Sequence, residues 1–148
     1  MKTKKIELYI HIPFCKSKCR YCDFCSFQAE NAVIDDYITK LKEELIFWGK
    51  KLTKEEVVTV FIGGGTPSYL KEQYIKEICN VIFQYFKVSE NAEITIEANP
   101  GTVDLKKLCT YRESGINRIS FGLQSTIQEE LQYLSLIHIS EPTRHLRI

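Results

Sequence analysis

The 148-residue sequence lacks an excess of charge of either sign: lysine, arginine and the acids are spread throughout, and the formal net charge is +1. Nucleic-acid binders carry a basic patch or stripe, so no nucleic-acid partner is expected. A long apolar run is missing as well. The longest, Val57 to Ile62, is broken by Thr59 and is far too short to cross a bilayer, so no transmembrane segment is expected. Nor is there a secretion signal. Met1 to Lys5 is basic, but Glu7 and His11 interrupt any apolar core behind it, and no small-residue cleavage site follows. Six cysteines without such a signal point to a cytoplasmic protein, whose thiols serve metals or packing rather than disulfides. The length suffices for one domain with a real core.

What is present is concentrated in Cys15-Lys-Ser-Lys-Cys19-Arg-Tyr-Cys22. Three thiols at spacings of four and three residues lie on a loop that begins where an apolar strand (Glu7 to Ile12) ends at Pro13. Such a loop can curl so that its sulfurs face one polynuclear metal centre. Four thiolates complete a 4Fe–4S cube, whereas three leave one iron open, and an open position marks a reactive site, as at a catalytic zinc. A structural zinc site is the alternative, because Cys25 follows Cys22 at a second two-residue gap. Zinc knuckles usually draw a further pair from a distant hairpin, and none is present; redox thiols are a third reading.

The rest reads as four strand-then-helix units. Strand Glu7–Ile12 precedes a helix from about Ala32 to Gly49, in which Ile34, Ile38, Leu41, Leu45 and Trp48 recur at helical spacing. Asp35 and Asp36 are placed in its first turn. Strand Val57–Ile62 runs into Gly63-Gly64-Gly65-Thr66-Pro67-Ser68 and a helix from about Lys71 to Phe86. Strand Glu93–Glu97 leads through the turn Ala98-Asn99-Pro100-Gly101 to a helix from Asp104 to Ser114. Strand Arg118–Phe121 leads through Gly122-Leu123-Gln124 to a helix starting near Ser125. This alternation predicts an α/β fold of parallel βαβ units.

Strand parity adds the site. Leu8, Ile10 and Ile12 oppose Tyr9 and His11; Ile94 and Ile96 oppose Thr95 and Glu97; Ile119, Phe121 and Leu123 oppose Ser120, Gly122 and Gln124. A buried parallel strand is apolar on both faces. One aliphatic and one polar face therefore predict a barrel-like sheet, with helices outside and a cavity inside. The cysteine loop, the triple glycine, Glu97 and Gln124 all fall at the C-terminal strand ends, where barrel active sites lie.

The triple glycine is neither a Walker loop nor a dinucleotide fingerprint. It is either a tight turn or a place where a ligand meets bare backbone. Glu97 is a ligand contact or half of a surface pair, and Gln124 a contact or a helix-entry residue. Cys79 and Cys109, on helix faces shared with isoleucines and leucines, read as core packing. His11 reads as structural, and Lys2, Lys4 and Lys5 as a solvated terminus.

Tyr9-Ile-His11-Ile-Pro13-Phe-Cys15, the three-cysteine loop and Asp23-Phe24 resemble the radical S-adenosylmethionine (SAM) superfamily. More narrowly they resemble the oxygen-independent coproporphyrinogen III oxidase-like family, including its heme-chaperone branch, HemW. The resemblance implies an incomplete radical SAM (β/α) barrel, about four βα units of a partial TIM-type barrel. It implies a 4Fe–4S cluster on Cys15, Cys19 and Cys22, with SAM chelating the open iron and cleaved by one electron to methionine and a 5′-deoxyadenosyl radical. Gly64, Gly65, Thr66, Glu97 and Gln124 are the SAM-binding candidates it implies. Tyr9 is expected to pack on SAM beside the cluster, and Tyr21 against the adenine or as a shield. Implied partners are heme or a porphyrinogen and an electron donor for the cluster. No catalytic side chain is assigned, and enzyme and carrier both stay open. The oxidase branch has a further cysteine where this chain has Phe24, so Asp23-Phe24-x-Ser26 resembles the chaperone branch and Cys25 reads as an incidental thiol.

The resemblance covers residues 1–133, expected to be the N-terminal part of the radical SAM core domain. After Leu131-Gln132-Tyr133-Leu134 a Gly-Arg-x-His segment should follow, but the chain reads Ser135-Leu-Ile-His-Ile-Ser-Glu-Pro-Thr-Arg144. That string resembles one reading frame of a transposase sequencing adapter, so residues 134–148 are expected to be a non-native tail, and His138 and His145 carry no functional weight. Four units cannot close a barrel. The last strand is therefore expected to expose an edge, with poor solubility or partial unfolding of the isolated chain, which itself is expected to be inactive.

Overall fold

The computed structural model describes residues 3–19 and 22–133. Four parallel strands lie in sequence order, β1 (Lys5–Ile12), β2 (Glu56–Gly64), β3 (Val88–Ala98) and β4 (Arg118–Phe121). Between them run α1 (Asn31–Lys51), α2 (Glu72–Tyr85) and α3 (Leu105–Glu113), and α4 (Gln128–Tyr133) follows β4. Single 3-10 turns, Pro67–Tyr69 and Pro100–Thr102, precede α2 and α3. Because all strands are parallel, their C-terminal ends share one rim of the sheet.

The aliphatic parity seen in the sequence builds the core. Ile10, Ile12, Val57, Val60, Ile62, Ile94 and Ile96 are buried against Ile34, Ile38 and Leu45 of α1 and Ile75, Ile78, Cys79 and Ile82 of α2. A bulge reconciles Val57 with Val60, which strict alternation would put on opposite faces. Ile6 pairs with Val57 but Glu7 with Thr59, so Val58 is an extra residue that resets the pleat. Burial pushes the Cys79 thiol up to about 12, in keeping with its place in the core.

Four expectations need correction. The helix α1 begins at Asn31 and has no acid in its first turn, so Asp35 and Asp36 lie a turn further in. Its inner stripe ends in Gly49 rather than Trp48, which is 45% exposed and stacks edge-on to Phe47. Cys109 is exposed, not packed. The short α3 turns Tyr111 inward and leaves Leu105 and Cys109 on its outer side. Asp104 caps that helix, accepting the Lys107 N–H at 2.8 Å. Thr95, on the polar face, is fully buried, covered by Arg118 at 3.2 Å.

Among the described residues β1 and β4 are the sheet edges. As expected, the end of the last strand is wet: Phe121 is 50% and Leu123 45% exposed. Tyr21, Lys2 and the expected tail (134–148) lie outside the described residues. No described helix is long and apolar enough to cross a membrane.

Gly49 sets the closeness of α1 to α2. A Cβ there would stand 2.6 Å from Tyr85 Cβ and 2.8 Å from its carbonyl oxygen. Alanine would ordinarily favour a helix by about 1 kcal/mol, but this overlap involves backbone and cannot relax by a rotamer change. Gly49→Ala is therefore expected to lower the unfolding free energy by about 1–3 kcal/mol, read as a lower urea midpoint. An unchanged or raised midpoint would contradict the packing.

Candidate cofactor site

Pro13 ends β1, and the next residue anchors the cysteine loop. Phe14 is fully buried, edge-on to Phe27 and to Tyr37, with ring centroids at 5.5 and 5.2 Å. The Cys15 N–H donates to the Phe27 carbonyl at 3.0 Å, and the Phe27 N–H to Pro13 at 2.9 Å. The loop is thus pinched shut at its base. Within it, the Cys22 N–H donates to the Cys19 carbonyl at 3.2 Å, and the Lys18 ammonium donates to the carbonyls of Phe24 and Ser26. His11 braces the loop from β1: its Nε2 donates to the Cys25 carbonyl at 3.3 Å, which in the neutral ring leaves Nδ1 as acceptor for the Tyr9 hydroxyl at 3.1 Å. The structural reading of His11 holds.

The triple glycine lets β2 reach this loop. The Gly65 N–H donates to the Ile12 carbonyl at 2.7 Å and the Thr66 N–H to Phe14 at 2.8 Å. A Cβ on Gly65 would stand 2.8 Å from the Phe14 carbonyl oxygen and 3.0 Å from the Cys15 sulfur, so only glycine allows the approach. The Gly64 N–H is taken as well, by the Glu97 carboxylate at 3.0 Å. No N–H from Gly64 to Thr66 is left for a ligand. The segment can offer acceptors and the Thr66 hydroxyl, and so suits a ligand that donates.

Glu97 and Asn99, two apart at the end of β3, reach the same cleft. The Asn99 Nδ2 donates to Thr66 Oγ1, which lies 3.4 Å from the Cys15 sulfur. Behind them, the Asn99 N–H donates to Ser68 Oγ, and the Lys107 ammonium donates to the Ser68 and Thr102 carbonyls at 2.6 and 2.9 Å. Burial pulls the Lys107 amine down. After β4, Gln124 adopts φ +62°, a left-handed backbone for a residue that has a Cβ. Such strain costs on the order of 1–3 kcal/mol and collects at functional sites.

Together these residues line one cleft of about 320 Å³, within the usual range for a small-molecule site. Cys15, Cys19 and Cys22 come from the loop, Gly64 from the end of β2 and Gly65 and Thr66 from just beyond it, Glu97 from β3 and Asn99 from just beyond it, and Gly122 and Gln124 from beyond β4. Tyr9 does not line it. That side chain is 60% exposed and stacks on Phe61, at 6.1 Å between centroids. Cys25 is exposed and does not line the cleft; its carbonyl accepts from His11. Sequence reasoning missed Asn99, although period-two parity with Glu97 pointed to it. It also missed Lys18, for which no local signal exists.

The donor set suits a cationic cluster. Burial pushes the Cys19 thiol up, and Cys22 and Cys15 push it further, against Lys18. Three thiolates here need positive charge between them. Among the described residues no three His, Cys, Asp or Glu side chains stand close enough for a single metal ion. A tetrahedral zinc would need its sulfurs about 3.8 Å apart, for Zn–S of about 2.3 Å. A four-iron cluster takes each cysteine on a different iron.

The sequence model of the radical SAM superfamily matches residues 9–146. The chain belongs to the radical SAM superfamily. That family implies a 4Fe–4S cluster and SAM. Its relatives include the heme chaperone HemW of Escherichia coli (strain K12), 42% identical over 139 residues, with 93% of this chain and 37% of the relative covered. The heme chaperone HemW of Bacillus subtilis (strain 168) is 37% identical over 131 residues, covering 88% and 35%. Among solved structures the radical SAM enzyme coproporphyrinogen III oxidase (HemN) of Escherichia coli superposes with a TM-score of 0.84 at 29% identity, covering 91% of this chain and 31% of that one. The chain thus spans roughly a third of the length of these relatives, and the match supports the partial radical SAM barrel expected from the sequence.

Gly65→Ala is expected to displace Cys15 and cut iron uptake on anaerobic reconstitution at least severalfold, with the far-ultraviolet circular dichroism unchanged. Full iron loading of that variant would show that the close approach is dispensable.

Proposed function

We propose that this chain is the N-terminal radical SAM part, residues 1–133, of a HemW-like heme chaperone that works in the cytoplasm, with residues 134–148 a non-native tail. Cys15, Cys19 and Cys22 hold a 4Fe–4S cluster. Gly64, Gly65, Thr66, Glu97 and Gln124 bind SAM at its open iron. The observation that carries this reading is the single cleft shared by three cysteines of one loop, the glycine segment, Glu97 and Gln124.

The roles follow from the chemistry of each group. Three thiolates on one pinched loop neutralise and fix the cluster. Glu97 spends one acceptor position on the Gly64 N–H, and a carboxylate has about four, so it can still receive an ammonium or ribose hydroxyls. With the segment's N–H groups occupied, the ammonium of a methionine moiety finds acceptors only. The Gln124 amide faces the cleft from the opposite strand end and can both donate and accept. When bound, cluster and SAM supply one-electron cleavage of the sulfonium, for which an electron donor is required. The cargo of the complete protein is heme.

Support for the chaperone branch comes from Phe24 in place of a further cysteine and from HemW relatives 34–44% identical to this chain. The second reading, an oxygen-independent coproporphyrinogen III oxidase acting on a porphyrinogen, rests on the structural likeness to that enzyme. A zinc module is the third.

Anaerobic reconstitution of the complete protein, of which this chain is the N-terminal part, with iron and sulfide tests this. The expected product holds about four irons per chain, and its spin-resonance spectrum changes when SAM is added. One zinc and no iron, or a spectrum indifferent to SAM, would sink the proposal. Heme titration separates the two branches: saturable binding supports the chaperone. Iodoacetamide mapped by mass spectrometry tests the ligands. In the reconstituted protein Cys25 and Cys109 should label, Cys15, Cys19 and Cys22 should be protected by iron, and Cys79 should react only on unfolding. Protection of Cys25 would make it a ligand.

Gln124→Gly separates binding from stability. Relief of the left-handed strain is expected to raise unfolding stability by about 1 kcal/mol, while loss of the amide weakens SAM binding several-fold, measured by equilibrium dialysis. Unweakened SAM binding would remove Gln124 from the site.

A further inference from the structure

We propose that Thr66, oriented by Asn99, donates a hydrogen bond to the Cys15 sulfur and thereby raises the reduction potential of the cluster. This rests on the cluster assignment made above.

The direction of the bond follows from proton accounting. Thr66 Oγ1 stands 3.4 Å from the Cys15 sulfur, and Thr66 is 8% exposed, so solvent competes little for its hydroxyl. That hydroxyl has one proton and two lone pairs. Asn99 Nδ2 donates to it at 3.4 Å, occupying a lone pair. An iron-bound cysteine is a thiolate and has no proton to give. The Thr66 proton therefore goes to sulfur.

Both partners are held in place for this. The Thr66 backbone is tied to Phe14, next to the cysteine. The Asn99 backbone is held on both sides, its N–H by Ser68 Oγ at 3.1 Å and its carbonyl by the Thr102 hydroxyl at 2.8 Å. Lys107 fixes those two residues by donating to their carbonyls. Asn99 touches neither sulfur nor, on this reading, SAM through the same atom. It is a positioning residue that acts through Thr66.

A hydrogen bond to a cluster sulfur stabilises the more negative, reduced form, and is one of the levers that set such potentials. Thr66→Val removes the donor, so reduction becomes harder. Thr66→Ser keeps it. Asn99→Asp reverses the amide's role: a carboxylate accepts from Thr66 and draws the proton off sulfur.

The test is a spin-resonance-monitored redox titration of the reconstituted full chain without SAM, with iron and sulfide counted first. Thr66→Val is expected to shift the one-electron reduction equilibrium about tenfold toward the oxidised form, about 59 mV lower. Thr66→Ser should match the unsubstituted chain. Asn99→Asp should lower the potential, and by less when Thr66 is already valine. Equal iron content with an unmoved potential in Thr66→Val overturns the proposal, as does an Asn99→Asp shift of the same size in both backgrounds. Should Thr66→Val fail to load iron, Asn99→Asp decides, and an unmoved potential there overturns it. An unsubstituted chain that takes up no iron defeats the cluster assignment instead, and this proposal with it.

Discussion

The exit of β2 and the entrance of the cysteine loop meet with no side chain between them, and the site depends on that contact. Two backbone hydrogen bonds, from Gly65 to Ile12 and from Thr66 to Phe14, stitch the segments together. The Cβ-free Gly65 leaves room for the Phe14 carbonyl and the Cys15 sulfur. The same stitching uses up the N–H groups of Gly65 and Thr66, and the Glu97 carboxylate takes that of Gly64, which together determine which ligands the segment can face. A packing constraint thereby becomes a chemical preference for donors. Sterics at Gly65 and the Glu97 carboxylate together set the preference of this wall.

Electrostatics completes the other wall. Three thiols on a short loop are costly to ionise together, since burial and mutual repulsion both act against the Cys19 thiolate and Lys18 offsets only part of this. The Lys18 ammonium is moreover engaged with the Phe24 and Ser26 carbonyls. It shapes the loop more than it balances the sulfurs. A positively charged group between the sulfurs would supply the missing counter-charge, and its binding would be coupled to the order of the loop.

Much of this was legible in the sequence, because it is local or periodic. The cysteine spacing, the triple glycine and the period-two parity of Glu97 and Gln124 placed the site on one rim before any coordinates. The core faces of β1 and β3 followed from alternation, whereas that of β2 depends on the bulge at Val58. What failed was non-local. Trp48 fits a helical stripe by spacing, but the helix rotates so that Gly49 meets Tyr85, a contact between segments far apart in the chain. Cys109 sits beside leucines on a helix too short to bury two faces, and Tyr111 wins the inner one. Lys18 caps carbonyls whose positions exist only once the loop has closed. Tyr9 had the right parity but not the right depth, since a strand face extends well beyond the cleft.

The two halves of the site are not equally secured. The cysteine and glycine side rests on β1, β2 and a buried Phe14 anchor. Among the described residues, the Gln124 side rests on β4, a four-residue strand at the sheet edge that pairs with Thr95–Ala98 of β3. Edge elements with few buried contacts open first, and the strained Gln124 backbone adds to that tendency. A ligand that touches both sides would, by mass action, stabilise the folded rim by an amount that grows with its concentration over Kd. The glycine wall is thus held by backbone bonds and a buried anchor, whereas the amide wall gains most from a ligand that spans the rim.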